Sequence, residues 1–194
     1  MPDQLEPILK EIRDHLHDGA VNRRSPMHTP AVGTSDGDLR VMVLRGFDRD
    51  AMSMRFHTDA RSAKVSAIRE GPAISVLFYN PEAKVQIRTR GIAVVDQDGT
   101  EADAAWTDST PFARRCYLSE LPPGASTEEA RSGLPDWVEG IVPSEAQLAP
   151  ARKNFAVFTV RIHAIDWLYL ANAGHRRARF EFSDGNVESR WLVP

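Results

Sequence analysis

The chain has 194 residues, 42% of them hydrophobic and 26% charged, enough apolar material to bury a core and too much for a disordered segment. Its 24 Lys and Arg against 27 Asp and Glu leave a net charge of -3, which excludes wholesale attraction to nucleic acid or anionic lipid, so any polyanion must be held locally. Cys116, the single cysteine, can form neither an internal disulfide nor a structural zinc site and suits a reducing compartment.

Reading starts at MPDQLEPILKEIRDHL, which lacks the basic start and apolar block of a secretory signal. No apolar run approaches the ~20 residues of a membrane span, so the expected location is the cytoplasm, with no membrane partner. Leu5, Ile8, Leu9, Ile12 and Leu16 recur at helical spacing, predicting an amphipathic helix over 3–18 with Asp3 as N-cap and Gly19 as its stop. Residues 22–38 are rich in Pro, Gly, Ser and Asp, with room for one short strand in HTPAVGT. LRVMVLRGF (39–47), MSMRFHT (52–58), AISVLFY (73–79) and VQIRTRGIAVV (85–95) are apolar or alternating runs divided by turn residues, and read as an antiparallel meander. Between the second and third run, RSAKVSAIREG (61–71) predicts a short helix opened by Asp59 or Ser62 and closed by Gly71.

Residues 101–118 predict two short helices broken near Pro111, inside a helical and loop-rich insertion that spans 101–150. Strands return in 154–165, 166–171, 176–182 and 187–193, with turns at Asn172–Gly174 and Asp184-Gly185-Asn186. Seven or eight antiparallel strands must close or be covered to hide their edges. The expected fold is therefore mainly β with helices (α+β), a β-barrel built from 39–95 and 154–193, in one domain over 1–194. No glycine cradle of the GxGxxG or GxxxxGK[ST] type is present, and neither HExxH nor a Ser-His-Asp signature supports a hydrolase.

Three pieces carry chemistry: RVMVLR (40–45), FHTDARSAK (56–64) and VQIRTRG (85–91). Period-2 alternation puts Arg40, Met42 and Leu44 on one strand face and Val41, Val43 and Arg45 on the other. Thr58 ends a strand, and Ser62 and Lys64 open the following helix, where free N–H groups and the positive dipole end favour an anion. An Arg, a Thr, a Ser and a Lys at a helix start make a phosphate site without a glycine loop.

In this order the pieces resemble the flavin mononucleotide (FMN) binding core of the pyridoxamine 5'-phosphate oxidase family, whose split barrel carries an Arg-x-Val-Leu-Leu-Lys strand, a Thr, a Ser-Arg-Lys helix start and a downstream Gln. Here these read RVMVLR, Thr58, Ser62-Ala63-Lys64 and Gln86, with Trp167, HRRARF (175–180) and the final Leu192 and Pro194 similar to the family's end. The resemblance implies an antiparallel split β-barrel of FMN-binding type, in which Arg40 and Lys64 hold the FMN phosphate while Thr58 and Ser62 donate hydrogen bonds. It implies that Val41, Met42, Val43, Leu44 and Arg45 run beside the isoalloxazine ring with His57 near, and that Gln86 contacts the ring's polar edge. Trp167 and Arg179 would come from a second subunit of a homodimer with FMN at its interface.

The departures are Ala63 for the middle Arg of the triplet, with Arg61 as a possible substitute, His57 for an aromatic residue, and Arg45 for Lys, which changes donor geometry. The family's oxidases grip their substrate with an Arg-x-His pair, and spacing back from Arg179 places His175 and Arg177 there with the types exchanged. The resemblance thus implies a flavoprotein oxidoreductase acting on a small-molecule substrate other than pyridoxamine phosphate, His175 and Arg177 being the candidates for an anionic substrate. A second reading keeps the barrel as a non-catalytic flavin- or haem-binding module. Structural readings suffice for the rest: His15 and His17 do not share a helix face for metal binding, and Cys116 is expected to be a small buried residue.

Overall fold

A computed structural model of the chain describes residues 4–183 and 185–194; Asp3, the expected helix cap, and Asp184 of the last turn lie outside them. Nine strands form one curled, fully antiparallel sheet among the described residues. In chain order the elements are α1 (Leu5–Val21), β1 (Ala31–Gly33), β2 (Leu39–Val41), β3 (Leu44–Asp48), β4 (Ser53–Asp59), α2 (Ala63–Glu70), β5 (Ala73–Asn80) and β6 (Val85–Asp96). They continue as α3 (Thr100–Asp108), α4 (Pro111–Arg114), α5 (Glu145–Leu148), β7 (Phe155–Tyr169), β8 (Arg176–Ser183) and β9 (Asn186–Leu192), with short 3-10 turns around α4 and α5.

The strand order is β2-β1-β5-β6-β7-β4-β3, with β8 and β9 continuing from the far end of β7. The meander expected from the sequence is therefore interrupted: β3–β4 and β5–β6 are hairpins, but β4 and β5 are not neighbours, because β7 inserts between β6 and β4. Residues 155–169, read as two strands, form one, long enough to pair with β6 along one edge and with β4 and then β8 along the other. Alternation decides the faces: Ile74, Val76 and Phe78 of β5 and Val85 and Ile87 of β6 point inward, where they meet Phe56, Phe158, Ile165 and Trp167. Ile8, Ile12 and Leu16 of α1 close this core from outside, at the i, i+4 spacing of one helix stripe.

Gly19 does not stop α1, which runs two residues further. A Cβ there would lie 2.8 Å from the Met27 carbonyl oxygen, so this glycine serves the close approach of the returning chain. The run at 39–47 is also divided. β2 ends at Val41 and β3 begins at Leu44, and the backbone between them hangs on 28–30 through Met42 N–H to the Pro30 carbonyl (3.0 Å) and Leu44 N–H to the His28 carbonyl (2.9 Å). Arg45 is the extra residue of a bulge, since Leu44 faces Phe56 and Gly46 faces Arg55. The expected alternation thus fails, and the bulge turns Arg45 toward the same pocket as Arg40.

Candidate functional site

Where β4 hands over to α2, Thr58 and Ser62 are both buried and their hydroxyls lie 3.3 Å apart. The ammonium of Lys64 donates to both, at 3.3 Å to Thr58 Oγ1 and 3.1 Å to Ser62 Oγ. Ser62 holds the N-cap position of α2 without making a side-chain cap bond, because its hydroxyl faces Lys64. Burial lowers the Lys64 pKa, and the neighbouring Arg40 charge lowers it further. A partly desolvated ammonium held by two hydroxyls and facing a guanidinium suits a dianion. Arg40 Nη1 donates to Thr34 Oγ1 at 2.9 Å, and Nη2 pairs with Asp38, an exposed carboxylate that an incoming phosphate would have to replace or share.

This corner opens into a pocket of about 260 Å3 lined by Arg40, Val41, Met42 and Val43 on one side. Arg45, His57, Lys64 and Tyr117 complete it. Leu44 is fully buried with its side chain in the core and does not line this pocket. The volume lies just under the roughly 300–1,000 Å3 of sites that enclose a small ligand, so one chain encloses a ligand here only in part. Arg61 does not substitute for the Arg missing at Ala63. Its guanidinium is fixed to Asp59, at 2.7 and 3.0 Å, and to the Ser119 carbonyl at 3.0 Å.

His57 lines the pocket, edge-on to Phe155 at 5.0 Å, and its Nε2 is buried with no hydrogen-bond partner. Burial, helped by the charges of Arg45 and Arg55, lowers its pKa from 6.5 to about 3. The unfolded chain takes up this proton near its ordinary pKa and the folded chain does not, so stability is lost as pH falls from about 6.5 toward 3. Urea midpoints at pH 7 and pH 4 are expected to differ less in His57→Phe than in the parent protein; equal differences would refute the neutral buried imidazole.

Tyr117 is the lining residue that sequence reasoning missed. It reaches the pocket because Trp106, Tyr117 and His57 all pack on Phe155, with ring centroids 5.0–5.4 Å away, which seats the 101–150 segment against the barrel. No spacing in the chain announces this, since the contact joins residues that are remote in sequence. Burial raises the Tyr117 pKa, keeping the phenol neutral. Cys116 beside it is exposed, contrary to expectation, and its thiol donates to the Ala113 carbonyl at 3.1 Å.

The remaining expected residues lie elsewhere. Trp167 is fully buried in the barrel core, its ring stacked on Tyr169 at 6.3 Å, so it is a core side chain and cannot close a groove. Gln86 is half-buried on β6 between Tyr79 and Leu168. Arg177 and Arg179 line a separate groove on the outer face of β5–β8, together with Arg88 and Arg90. There the nearly buried Asp166 accepts from Arg177 Nη2 at 2.7 Å and pairs with Arg88 Nη2 at 2.9 Å. Burial opposes the Asp166 charge, but these arginines outweigh it and hold the pKa below its ordinary value. Arg177 is thus already paired, and His175 is exposed in the preceding turn and lines neither groove.

On the same outer face, Val41, Ala31, Leu77, Arg88, Asp166, Arg179 and Arg190 form one cross-strand row. Leu39, Val41, Leu77 and Tyr79 leave 41–71% of their surface uncovered there, an apolar strip bordered by arginines. Among the described residues no helix is long and apolar enough to cross a membrane.

Residues 8–97 match the family model described as pyridoxamine 5'-phosphate oxidase, FMN-binding domain. No curated protein matches the chain. Among solved structures, it is similar to a pyridoxamine 5'-phosphate oxidase-related, FMN-binding protein of Nostoc punctiforme, over all of both chains, at 22% identity and a TM-score of 0.69. PhzG of Burkholderia lata, solved with tetrahydrophenazine-1-carboxylic acid, matches all of this chain and 94% of its own, also at 22% and 0.69. A Clostridium acetobutylicum protein related to general stress protein 26 aligns over 96% of both chains at 10% identity and 0.54. These likenesses fix the fold as a split barrel of this type.

Proposed function

We propose, from the match of residues 8–97 to the pyridoxamine 5'-phosphate oxidase FMN-binding family model, that the chain binds FMN and works as a flavoprotein oxidoreductase on a small-molecule substrate. The observation that carries this reading is the Lys64 ammonium, half-buried beside Arg40 with two hydroxyls as its hydrogen-bond acceptors. In this reading Arg40, Thr58, Ser62 and Lys64 hold the phosphate. The 41–45 backbone, with Arg45, His57 and Tyr117, walls the ring end. The flavin supplies hydride or electron transfer; the protein binds it, excludes water and sets its electrostatics.

The shallow pocket on one surface and the arginine groove with its apolar strip on another support a homodimer in which Gln86 and Arg179 of one copy face the flavin held by the other. Arg177, locked beside Arg88 by Asp166, then presents a fixed guanidinium to an anionic substrate, while the exposed His175 contributes less than the sequence implied. The PhzG ligand, a carboxylate on a reduced ring system, is the kind of molecule such an arrangement suits.

The test is direct. The purified protein is expected to take up FMN, to show flavin absorbance that a nicotinamide nucleotide bleaches, and to scatter light as a dimer. Leu77→Asp puts a charge in the apolar strip and is expected to shift the protein to monomer and weaken FMN uptake together. A Soret band instead of flavin absorbance, or a colourless protein that refuses FMN, would sink the proposal. A monomeric Leu77→Asp variant with unchanged FMN affinity would remove the second copy from the site.

A further inference from the structure

A second cavity of about 390 Å3 lies where α1, the β3–β4 turn, the middle of β7 and the β8–β9 hairpin meet. None of its lining residues belongs to the FMN pocket. It sits at the Ser53 end of β4, whereas the phosphate corner lies at the Thr58 end, about 17 Å away along the strand.

Two departures from regular backbone meet at this cavity. His163 is the unpaired residue of a bulge in β7: Gly91 faces Ile162 and Arg90 faces Ala164, leaving His163 without a β6 partner. The bulge is tight, since a Cβ on Gly91 would lie 2.5 Å from the Arg161 carbonyl oxygen. Met52, a residue with a side chain, is held at φ 47 and forms part of the cavity floor. Bulges and left-handed non-glycine residues persist where the surrounding structure over-determines them, and they concentrate at binding sites.

The bulge places His163 next to Arg161 on the cavity wall, and Arg13 of α1 faces them. Arg13 Nε has the Met52 thioether as its acceptor, at 3.5 Å. Among the described residues, Arg161 and His163 make no hydrogen bond or ion pair through their side chains. Asp50 is the one carboxylate among the described lining residues, against the two guanidinium groups of Arg13 and Arg161. Asp184 falls between two lining residues in sequence but outside the described set. The floor is apolar, made of Met52, Ile162 and Phe182.

We infer that this cavity is a second ligand site, which takes a small molecule with a carboxylate or phosphate on a flat apolar body. Arg13 and Arg161 supply planar donor forks for the oxyanion, and the Met52–Phe182 floor takes the body. The site stands apart from the flavin reading and does not depend on it.

Calorimetric titration of the FMN-saturated full chain with 2-naphthoate, 1-naphthyl phosphate and inorganic phosphate tests this. At least one naphthyl probe is expected to bind, and the preferred probe identifies the head group. Arg161→Gln and Arg13→Gln are each expected to weaken it tenfold or more, while Asp184→Asn binds as well as the parent or better. Failure of both naphthyl probes, affinity unchanged in Arg161→Gln, loss of binding in Asp184→Asn, or inorganic phosphate binding as tightly as either naphthyl probe would overturn the inference. The same titration without FMN is expected to give the same affinity, and displacement of the probe by FMN would also overturn it. A chain that takes up no FMN but still binds the probe would refute the flavin reading alone.

Discussion

Trp167→Ala is expected to destabilise the protein by about 3–5 kcal/mol, the range for truncating a large buried aromatic residue. Trp167 is fully buried, packs within the main core and lies opposite Ile87 on β6 and Ala178 on β8. Neither the β-branched Ile87 nor the small Ala178 can reach into the space an indole leaves, so the cavity persists and its lining loses contacts. A domain typically has only about 5–15 kcal/mol in total, so the loss is a large share of stability. Urea denaturation reads it directly. A variant of unchanged stability with reduced FMN affinity would return Trp167 to the cofactor site, where the family resemblance first put it.

Lys64→Ala is expected to weaken FMN binding by about 1.5–3 kcal/mol, roughly 10- to 100-fold in Kd, the range for a hydrogen bond to a charged group. Arg40→Ala is expected to act in the same range. Fluorescence quenching of FMN measures both. The informative control is Arg61→Ala. Its guanidinium is occupied by Asp59 and the Ser119 carbonyl, so the variant is expected to loosen the contact between the barrel and the 101–150 segment while FMN affinity stays near that of the parent. If Arg61→Ala lost FMN as severely as Lys64→Ala, Arg61 would be the stand-in for the arginine missing at Ala63, and the corner would need reassignment. FMN affinity unchanged in both Lys64→Ala and Arg40→Ala would remove the phosphate from this corner.

That Thr58, Ser62 and Lys64 meet in one corner was legible in the chain because these residues are close in sequence. Thr58, Ser62 and Lys64 span one strand end and one helix start, and local geometry brings them together with few alternatives. The 40–45 segment was half legible. Its residue types pointed to the pocket, but strict alternation assigned Arg40 and Arg45 to opposite faces, and the bulge at Arg45 reversed that. A bulge depends on how β3 registers with β4, which a strand's own pattern does not record.

By itself, the sequence determined where strand-forming runs lie, the helix that follows β4 and the cations at their junction, because pleat alternation, helical spacing and turn chemistry act over a few residues; where those runs divide or join was left to the fold. Only the tertiary structure decided that β7 inserts between β6 and β4, that Trp167 turns inward, that Asp166 captures Arg177 and Arg88, and that Tyr117 joins the pocket wall. Each of these is a choice among partners remote in sequence, made by the packing of the whole core and by the need of buried charges for counter-charges.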